Sequence, residues 1–245
     1  KQISLILERY PLEILSKSVW QRKARTKIIK KPPNTKIEKL SKVIPKKQFR
    51  GKLLNFQKMG LDFLLKSSGN ALLADDMGLG KTVQTLAYIA SEKQPLPALV
   101  VAPLVTLTNW QREIERFMKK KSKNGRIVEN DVPTITSIRS GKRSEIPYSD
   151  FYLINYELLH KRQDDLAKLK IRTLVCDEVQ HLRSKTTQKY KAVKTLASIK
   201  SVKYRVGLSG TPIYNHGSEI WPIVDILKPG LLGNFKEFCE YFCYQ

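Results

Sequence analysis

The residues with the clearest potential for chemistry are a glycine-rich turn followed by lysine and threonine, within the stretch Gly69–Ile89. A short apolar run, Ala71–Ala74, precedes the turn and predicts a strand, and a helix is predicted to begin at Lys81 and Thr82. This order suits the binding of phosphate, because glycines let backbone N–H groups approach the phosphate oxygens and the helix N-terminus adds positive potential. Lys81 would then contact the β- and γ-phosphates of a nucleotide, and the Thr82 hydroxyl would contact Mg²⁺.

The turn matches the pattern G-x-x-x-x-G-K-S/T incompletely, because Asp75 stands where the pattern has its first glycine. Gly78 and Gly80 are both present. By itself the stretch therefore leaves two interpretations open, a nucleotide-binding loop or an unrelated glycine turn before a core helix.

A second cluster consists of two carboxylates, Asp177 and Glu178, directly after a predicted buried strand, Thr173–Cys176. Ligands bind at the carboxyl ends of the strands in a doubly wound sheet, so these residues are expected near the glycine-rich turn. Asp177 could hold Mg²⁺ through its water shell, and Glu178 could orient or deprotonate an attacking water. The alternative is a surface acidic pair that caps the next helix, but the upstream turn favours the catalytic interpretation.

A third cluster, Ser209-Gly210-Thr211, follows another predicted strand, Tyr204–Leu208. The hydroxyls of Ser209 and Thr211 could sense the state of a γ-phosphate. A plain strand-to-loop turn would have the same composition, so this cluster is uninformative alone.

The elements that must position these clusters alternate along the chain. Buried strands are predicted at Ala71–Ala74, Ala98–Ala102, Thr134–Ile138, Phe151–Asn155, Thr173–Cys176 and Tyr204–Leu208. Helices are predicted between or after most of them, at Leu107–Phe117, Tyr156–Leu169, Lys185–Ile199 and Ser218–Leu227. Such alternation predicts an α/β fold with a mainly parallel central sheet between two layers of helices.

The composition is strongly basic, with 45 Lys and Arg against 22 Asp and Glu and a net charge of +23. This charge favours a polyanionic partner, nucleic acid above all, over a merely solvated basic surface. No run approaches the roughly 18 apolar residues of a membrane span, and no signal peptide is evident. Three cysteines are too few for a disulfide framework. An intracellular protein is expected, in the cytoplasm or nucleoid of a prokaryote or the nucleus of a eukaryote.

The first fifth of the chain differs from the rest. Residues 1–50 carry 11 Lys and 4 Arg against 3 Glu, a net charge of +12. We therefore divide the chain into a basic, partly helical extension, residues 1–49, and a lobe, residues 50–245. The extension is either a solvated lead-in or a basic arm that lies along phosphates. Because the chain begins at Lys1, it is expected to be a piece of a longer protein.

Together, several motifs resemble the first RecA-like lobe of the Swi/Snf-type ATPases in helicase superfamily two. They occur in the family's order and comprise Gln57, DDMGLGKTVQT (75–85), APLVTLTNW (102–110), INYELL (154–159), DEVQ (177–180) and LSGTPIYN (208–215) with Trp221. The resemblance covers residues 50–245. It accounts for Asp75, which is common at this position in the family, whereas Asp76 replaces the more usual Glu.

The resemblance implies that the ligands are ATP and Mg²⁺ and assigns a role to each matching position. The expected nucleotide contacts are Gln57 at the adenine edge and Asp75, Asp76, Met77, Gly78, Leu79, Gly80, Lys81 and Thr82 around the triphosphate. Lys81, Asp177 and Glu178 are the expected catalytic residues, with Thr82 and Asp177 on the metal. Coupling of nucleotide state to DNA is expected from Ser209, Gly210 and Thr211. Contacts to the phosphate backbone of one DNA strand are expected from Pro103, Thr106, Asn109, Asn155 and Tyr156.

The resemblance also implies an activity for the intact protein, ATP-driven translocation on double-stranded DNA with backbone contacts that tolerate any sequence. A second RecA-like lobe would supply Arg fingers, so the 245 residues alone are expected to be monomeric and to hydrolyse ATP poorly. Three alternatives are a strand-separating DNA or RNA helicase, a nucleotide fold that has lost catalysis, and a basic nucleic-acid-binding protein with an accidental glycine turn.

Overall fold

The computed structural model describes residues 48–119, 132–142 and 144–243. The predicted basic extension falls outside this range, apart from its last two residues. The proposed boundary at residue 50 therefore stays a prediction.

Six strands form one sheet in the order β1-β6-β5-β2-β4-β3, and every neighbouring pair is parallel. They are β1 (Asn70–Leu73), β2 (Ala98–Ala102), β3 (Ile135–Ile138), β4 (Phe151–Asn155), β5 (Thr173–Cys176) and β6 (Tyr204–Leu208). Four strands have the predicted bounds. β1 begins and ends one residue earlier than predicted, because Asn70 pairs with Arg205. β3 begins one residue later.

The described helices are α1 (Asn55–Lys66), α2 (Lys81–Ser91), α3 (Leu107–Phe117), α4 (Tyr156–Ala167), α5 (Gln188–Ala197), α6 (Ile220–Leu227) and α7 (Phe235–Phe242). Short 3₁₀ turns cover Leu104–Thr106, Val179–Leu182 and Gly217–Glu219. The predicted helices after β4 and β6 were too long by two residues. In the latter, the first two predicted residues belong to a 3₁₀ turn.

The sheet has a hydrophobic core on each face, so the predicted three-layer α/β architecture is confirmed. Helices α1, α2 and α3 pack on one face, and α4, α5, α6 and α7 pack on the other. Strand β2 shows why its sequence is a continuous apolar run: Val100 enters the first core, whereas Leu99 and Val101 enter the second. All three side chains are fully buried.

The sheet order brings the candidate residues together. Because all described strands are parallel, the segments that follow β1, β2, β4, β5 and β6 meet at one edge of the sheet. None of the helices among the described residues has the length and apolar character that crossing a bilayer requires.

Candidate active site

The glycine-rich loop lies between β1 and α2, as predicted, and packs against α1. Gly80 precedes the first residue of α2 with a φ of +71°, a left-handed conformation that favours glycine. A Cβ atom at Gly80 would lie 2.6 Å from Nε2 of Gln57, so the loop packs closely against this side chain. Gln57 therefore borders the loop from α1.

Lys81 is held by the loop itself. Its Nζ donates to the backbone carbonyls of Asp75, at 2.9 Å, and Asp76, at 3.1 Å. Helix α2 begins at Lys81 without a side-chain cap, so the first N–H groups of the helix are directed at the loop. These donors and the lysine charge have the chemistry that binding of phosphate oxygens requires.

Asp75 is fixed by a residue that the sequence analysis missed. Gln84 is fully buried on α2, and its Nε2 donates to Oδ2 of Asp75 and to the carbonyl of Leu79, each at 3.1 Å. Gly60 on α1 makes room for it, since a Cβ atom there would lie 1.6 Å from Oε1 of Gln84. The sequence did contain a signal for Gln84, because it is a glutamine on a helix face whose other residues are small or apolar.

Asp177 lies directly after β5 and accepts three hydrogen bonds. Nε1 of Trp110 donates to its Oδ2 at 2.8 Å, the backbone N–H of Glu178 donates to its Oδ1 at 3.0 Å, and the hydroxyl of Tyr156 donates to its carbonyl oxygen at 2.8 Å. Burial raises the pKa of the Asp177 carboxyl, while the bond from Trp110 and the charge of Lys81 act in the opposite direction.

Glu178 has a left-handed backbone, with a φ of +47°. Such strain in a residue other than glycine is concentrated at functional sites. Its Oε2 accepts a hydrogen bond of 2.6 Å from Nε2 of Gln180. Oε1 of Gln180 in turn accepts a hydrogen bond of 2.7 Å from the hydroxyl of Ser209. The Oγ of Ser209 also accepts a hydrogen bond of 3.0 Å from the backbone N–H of Thr211. A continuous network therefore joins the second cluster to the third.

The third cluster also contacts the glycine-rich loop. A Cβ atom at Gly210 would lie 2.9 Å from Cγ of Met77, which identifies close packing between the two segments. The three clusters that are separated in the sequence thus form one site at the carboxyl edge of the sheet.

The donor set suits Mg²⁺. Among residues 48–119, 132–142 and 144–243, no three His, Cys, Asp or Glu side chains cluster as a metal site made of protein ligands alone. Mg²⁺ in nucleotide sites uses one or two carboxylates, phosphate oxygens and waters. Asp177 and the Thr82 hydroxyl fit this smaller protein contribution.

Comparisons with known proteins agree with this geometry. A sequence profile of the SNF2-related domain matches residues 56–244. The chain belongs to this family.

Two relatives illustrate the similarity of this SNF2-related domain. The chromatin structure-remodeling complex subunit snf21 of Schizosaccharomyces pombe is 35% identical over 201 residues, which cover 78% of this chain and 16% of that protein. The chromatin-remodeling ATPase INO80 of Homo sapiens is 32% identical over 204 residues, which cover 79% of this chain and 13% of that protein. The chain thus spans less than a fifth of the length of either relative.

A solved structure shares the fold. The SWI2/SNF2 ATPase core of Sulfolobus solfataricus, in complex with dsDNA, matches with a TM-score of 0.65 and 32% identity. The match covers 82% of this chain and 41% of that one. The sequence-based assignment to the Swi/Snf-type lobe and its α/β fold is confirmed.

The predicted nucleic-acid contacts of the SNF2-related domain divide into two groups. Asn109 is exposed, and Pro103 and Thr106 are partly exposed, in the segment that follows β2. Asn155 and Tyr156, in contrast, are only 7% and 1% exposed. Asn155 caps α4 by accepting a hydrogen bond from the N–H of Leu158. The hydroxyl of Tyr156 donates a hydrogen bond to the backbone carbonyl of Asp177. The structure gives these two side chains internal roles, and their contact with phosphate stays a prediction.

A second residue that the sequence analysis missed is Arg162 on α4, which is 2% exposed. It pairs with Asp165 at 2.9 Å and donates to three backbone carbonyls of the β3–β4 loop. These are the carbonyls of Ser140 at 3.2 Å, Lys142 at 2.7 Å and Ser144 at 2.7 Å. The clamp fixes a loop that carries exposed Arg139 and Lys142.

Proposed function

We propose that the chain is the ATP-binding lobe of a DNA-dependent ATPase that translocates on double-stranded DNA and remodels protein–DNA complexes. The convergence of the glycine-rich loop, Asp177–Glu178 and Ser209–Thr211 at one edge of the sheet carries this proposal. Membership of the SNF2-related domain family supports it, as does the similarity to an ATPase core solved with dsDNA.

We assign a role to each of these residues. Lys81 exchanges the carbonyls of Asp75 and Asp76 for phosphate oxygens, while Gln57 borders the site where the base would lie. Thr82 and Asp177 would hold Mg²⁺, which neutralises charge on the phosphates when it is bound. Glu178 orients the attacking water and accepts its proton.

The hydrogen bonds from Glu178 through Gln180 and Ser209 to Thr211 give the site a means of coupling nucleotide state to DNA. A shift of Glu178 on hydrolysis would change the hydrogen bonds of Gln180 and Ser209 in turn. Since Gly210 packs on Met77, the same shift reaches the loop around the nucleotide. We infer that this surface meets a second RecA-like lobe, whose Arg fingers would stabilise the transition state by about 10³–10⁵ in rate.

Nucleotide binding is the direct test. Lys81→Ala is expected to weaken binding of a fluorescent ATP analogue with Mg²⁺ by about 10-fold or more, because a bond to a charged group contributes roughly 1.5–3 kcal/mol. Lys93→Ala is the matched control, since Lys93 is exposed and lies just beyond the opposite end of α2. Equal affinities of Lys81→Ala and the parent chain would contradict the proposal.

Hydrolysis by the 245 residues alone is expected to be slow, with or without duplex DNA. Strong DNA-stimulated turnover by this chain would contradict the proposed need for a second lobe. In a protein that includes such a lobe, a strand-displacement assay separates translocation from unwinding. Displacement of a strand from duplex DNA or RNA would instead favour a helicase.

A further inference from the structure

Two buried aromatic side chains converge on Asp177 from different helices. Trp110 donates from Nε1 to the carboxylate, and Tyr156 donates from its hydroxyl to the carbonyl of the same residue, each at 2.8 Å. Trp110 is 0% exposed and Tyr156 is 1% exposed. Both side chains therefore lie within the protein, where each is held by its bond to Asp177.

Both residues adjoin segments that are predicted to contact nucleic acid. Trp110 follows Asn109, the last residue of the segment after β2, and Tyr156 is the first residue of α4 after β4. Strand β2 lies between β5 and β4 in the sheet, so the segment after β2 begins next to the end of β5 and the segment after β4 begins one strand further away. An aromatic residue that holds Asp177 thus directly follows the first predicted phosphate-contacting segment, and another lies within the second.

These bonds restrict how Asp177 can turn. Trp110 occupies Oδ2, while the N–H of Glu178 occupies Oδ1, so the plane of the carboxylate is set from both sides. Tyr156 fixes the backbone of the same residue. Hydrogen bonds weaken steeply when their distance and angle change. A small movement of α3 would weaken the bond from Trp110 to the carboxylate, and a small movement of α4 would weaken the bond from Tyr156 to the backbone. Either movement would let the carboxylate of Asp177 reorient.

We propose that Trp110 and Tyr156 are positioning residues that couple phosphate contacts on α3 and α4 to the orientation of Asp177. The inference rests on the proposed function, because Asp177 is there the residue that holds Mg²⁺. Nucleic acid bound at Pro103–Asn109 would shift α3, and Trp110 would transmit this movement to the carboxylate that holds Mg²⁺. If the two residues had only a structural role, their rings would fill space in the two hydrophobic cores and would not affect the orientation of Asp177.

The variants Trp110→Phe and Tyr156→Phe separate these roles, because each keeps a ring and removes only the donor. Two controls lose equivalent donors elsewhere. Trp221→Phe removes an indole bond to the carbonyl of Gly233, and Tyr190→Phe removes a hydroxyl bond to Asp225. Thermal midpoints of all four variants establish that each is folded.

The measurement is the factor by which duplex DNA changes the affinity of the full chain for a fluorescent ATP analogue with Mg²⁺. Such coupling is reciprocal and typically amounts to about 5–150-fold. We expect the factor to fall towards one in Trp110→Phe and Tyr156→Phe and to be unchanged in the controls. We also expect the ratio of nucleotide affinity in Mg²⁺ to that in EDTA to fall in Trp110→Phe.

The outcomes are distinct. Unchanged coupling in folded Trp110→Phe and Tyr156→Phe would overturn this proposal and leave the proposed function intact. The absence of coupling in a parent chain that binds both ligands would do the same. A parent chain that binds neither nucleotide nor DNA would contradict the proposed function, and this proposal with it.

Discussion

At the scale of single residues, Asp75 illustrates how one departure from a general pattern is accommodated. A glycine at this position would leave the side-chain amide of Gln84 with only the carbonyl of Leu79 as a partner. Asp75 instead accepts a bond from Gln84, and Gly60 provides the space that the buried amide needs. The three residues form one unit beneath the loop, although they lie on different elements.

Replacement of the buried amide tests this unit. Gln84→Glu would place a second carboxylate, at a fully buried position, against Oδ2 of the half-buried Asp75. We expect a loss of about 1–3 kcal/mol in the free energy of unfolding and about 10-fold weaker nucleotide binding. Thermal denaturation and titration with a fluorescent ATP analogue measure the two effects.

Two further variants make the test specific. Asp75→Asn combined with Gln84→Glu is expected to recover part of the loss, because the amide and carboxylate then exchange places. Gln111→Glu is the control, since it puts a carboxylate next to Glu115 at an exposed site. If Gln84→Glu behaved like Gln111→Glu, the Asp75–Gln84 bond would have no role in the loop.

At the scale of elements, the connection from β3 to β4 departs from the usual helical crossover. Its described residues contain no helix, and Arg162 holds them against α4 through three backbone carbonyls. The charge of Arg162 is balanced by Asp165, so the buried guanidinium is paired. The loop can therefore present Arg139 and Lys142 in a fixed geometry at the same end of the sheet as the segment that follows β2.

Removal of the clamp is expected to loosen the loop. Arg162→Met keeps much of the side-chain length but leaves the carbonyls without donors, at a cost of about 2–4 kcal/mol in the free energy of unfolding. Hydrogen exchange of the amides in residues 139–145 should accelerate more than exchange in the sheet. Lys168→Met, at an exposed position after the same helix, is the control. Uniform acceleration throughout the lobe would indicate a general loss of stability instead.

At the scale of the whole molecule, the net charge of +23 bears on affinity for nucleic acid more than on the fold. Contacts with phosphate hold a protein on DNA without reading its sequence, and each one releases counterions. The proposed translocase therefore requires binding that is strong, tolerant of sequence and sensitive to salt.

Binding to two duplexes of equal length and unrelated sequence tests this requirement. We expect similar affinities, and a linear fall of the logarithm of affinity with that of salt concentration, with a slope of about −0.9 for each phosphate neutralised. Fluorescence anisotropy between roughly 50 and 200 mM salt measures the slope. A flat response, or a strong preference for one duplex, would count against backbone contacts as the basis of binding.

Most of the strands and helices, and the motifs that mark the family, can be predicted from the amino-acid sequence alone. Strands β2, β4, β5 and β6 were predicted with their observed bounds, because strands buried on both faces are continuous apolar runs. The glycine-rich loop and the carboxylate pair were equally visible, since each depends on neighbouring residues and on a strand just before it. The order of these motifs was enough to indicate the family.

Contacts between side chains that are distant in the sequence are visible only in the folded chain. Trp110 belongs to a family motif but was given no role in the chemistry, and Tyr156 was predicted to contact nucleic acid. Both donate to Asp177, across 67 and 21 residues of sequence. Gln84 and Arg162 drew no prediction. Periodicity shows that a position is buried but not what it faces, because its neighbours depend on the order of strands in the sheet and on the angles of the helices that cover it.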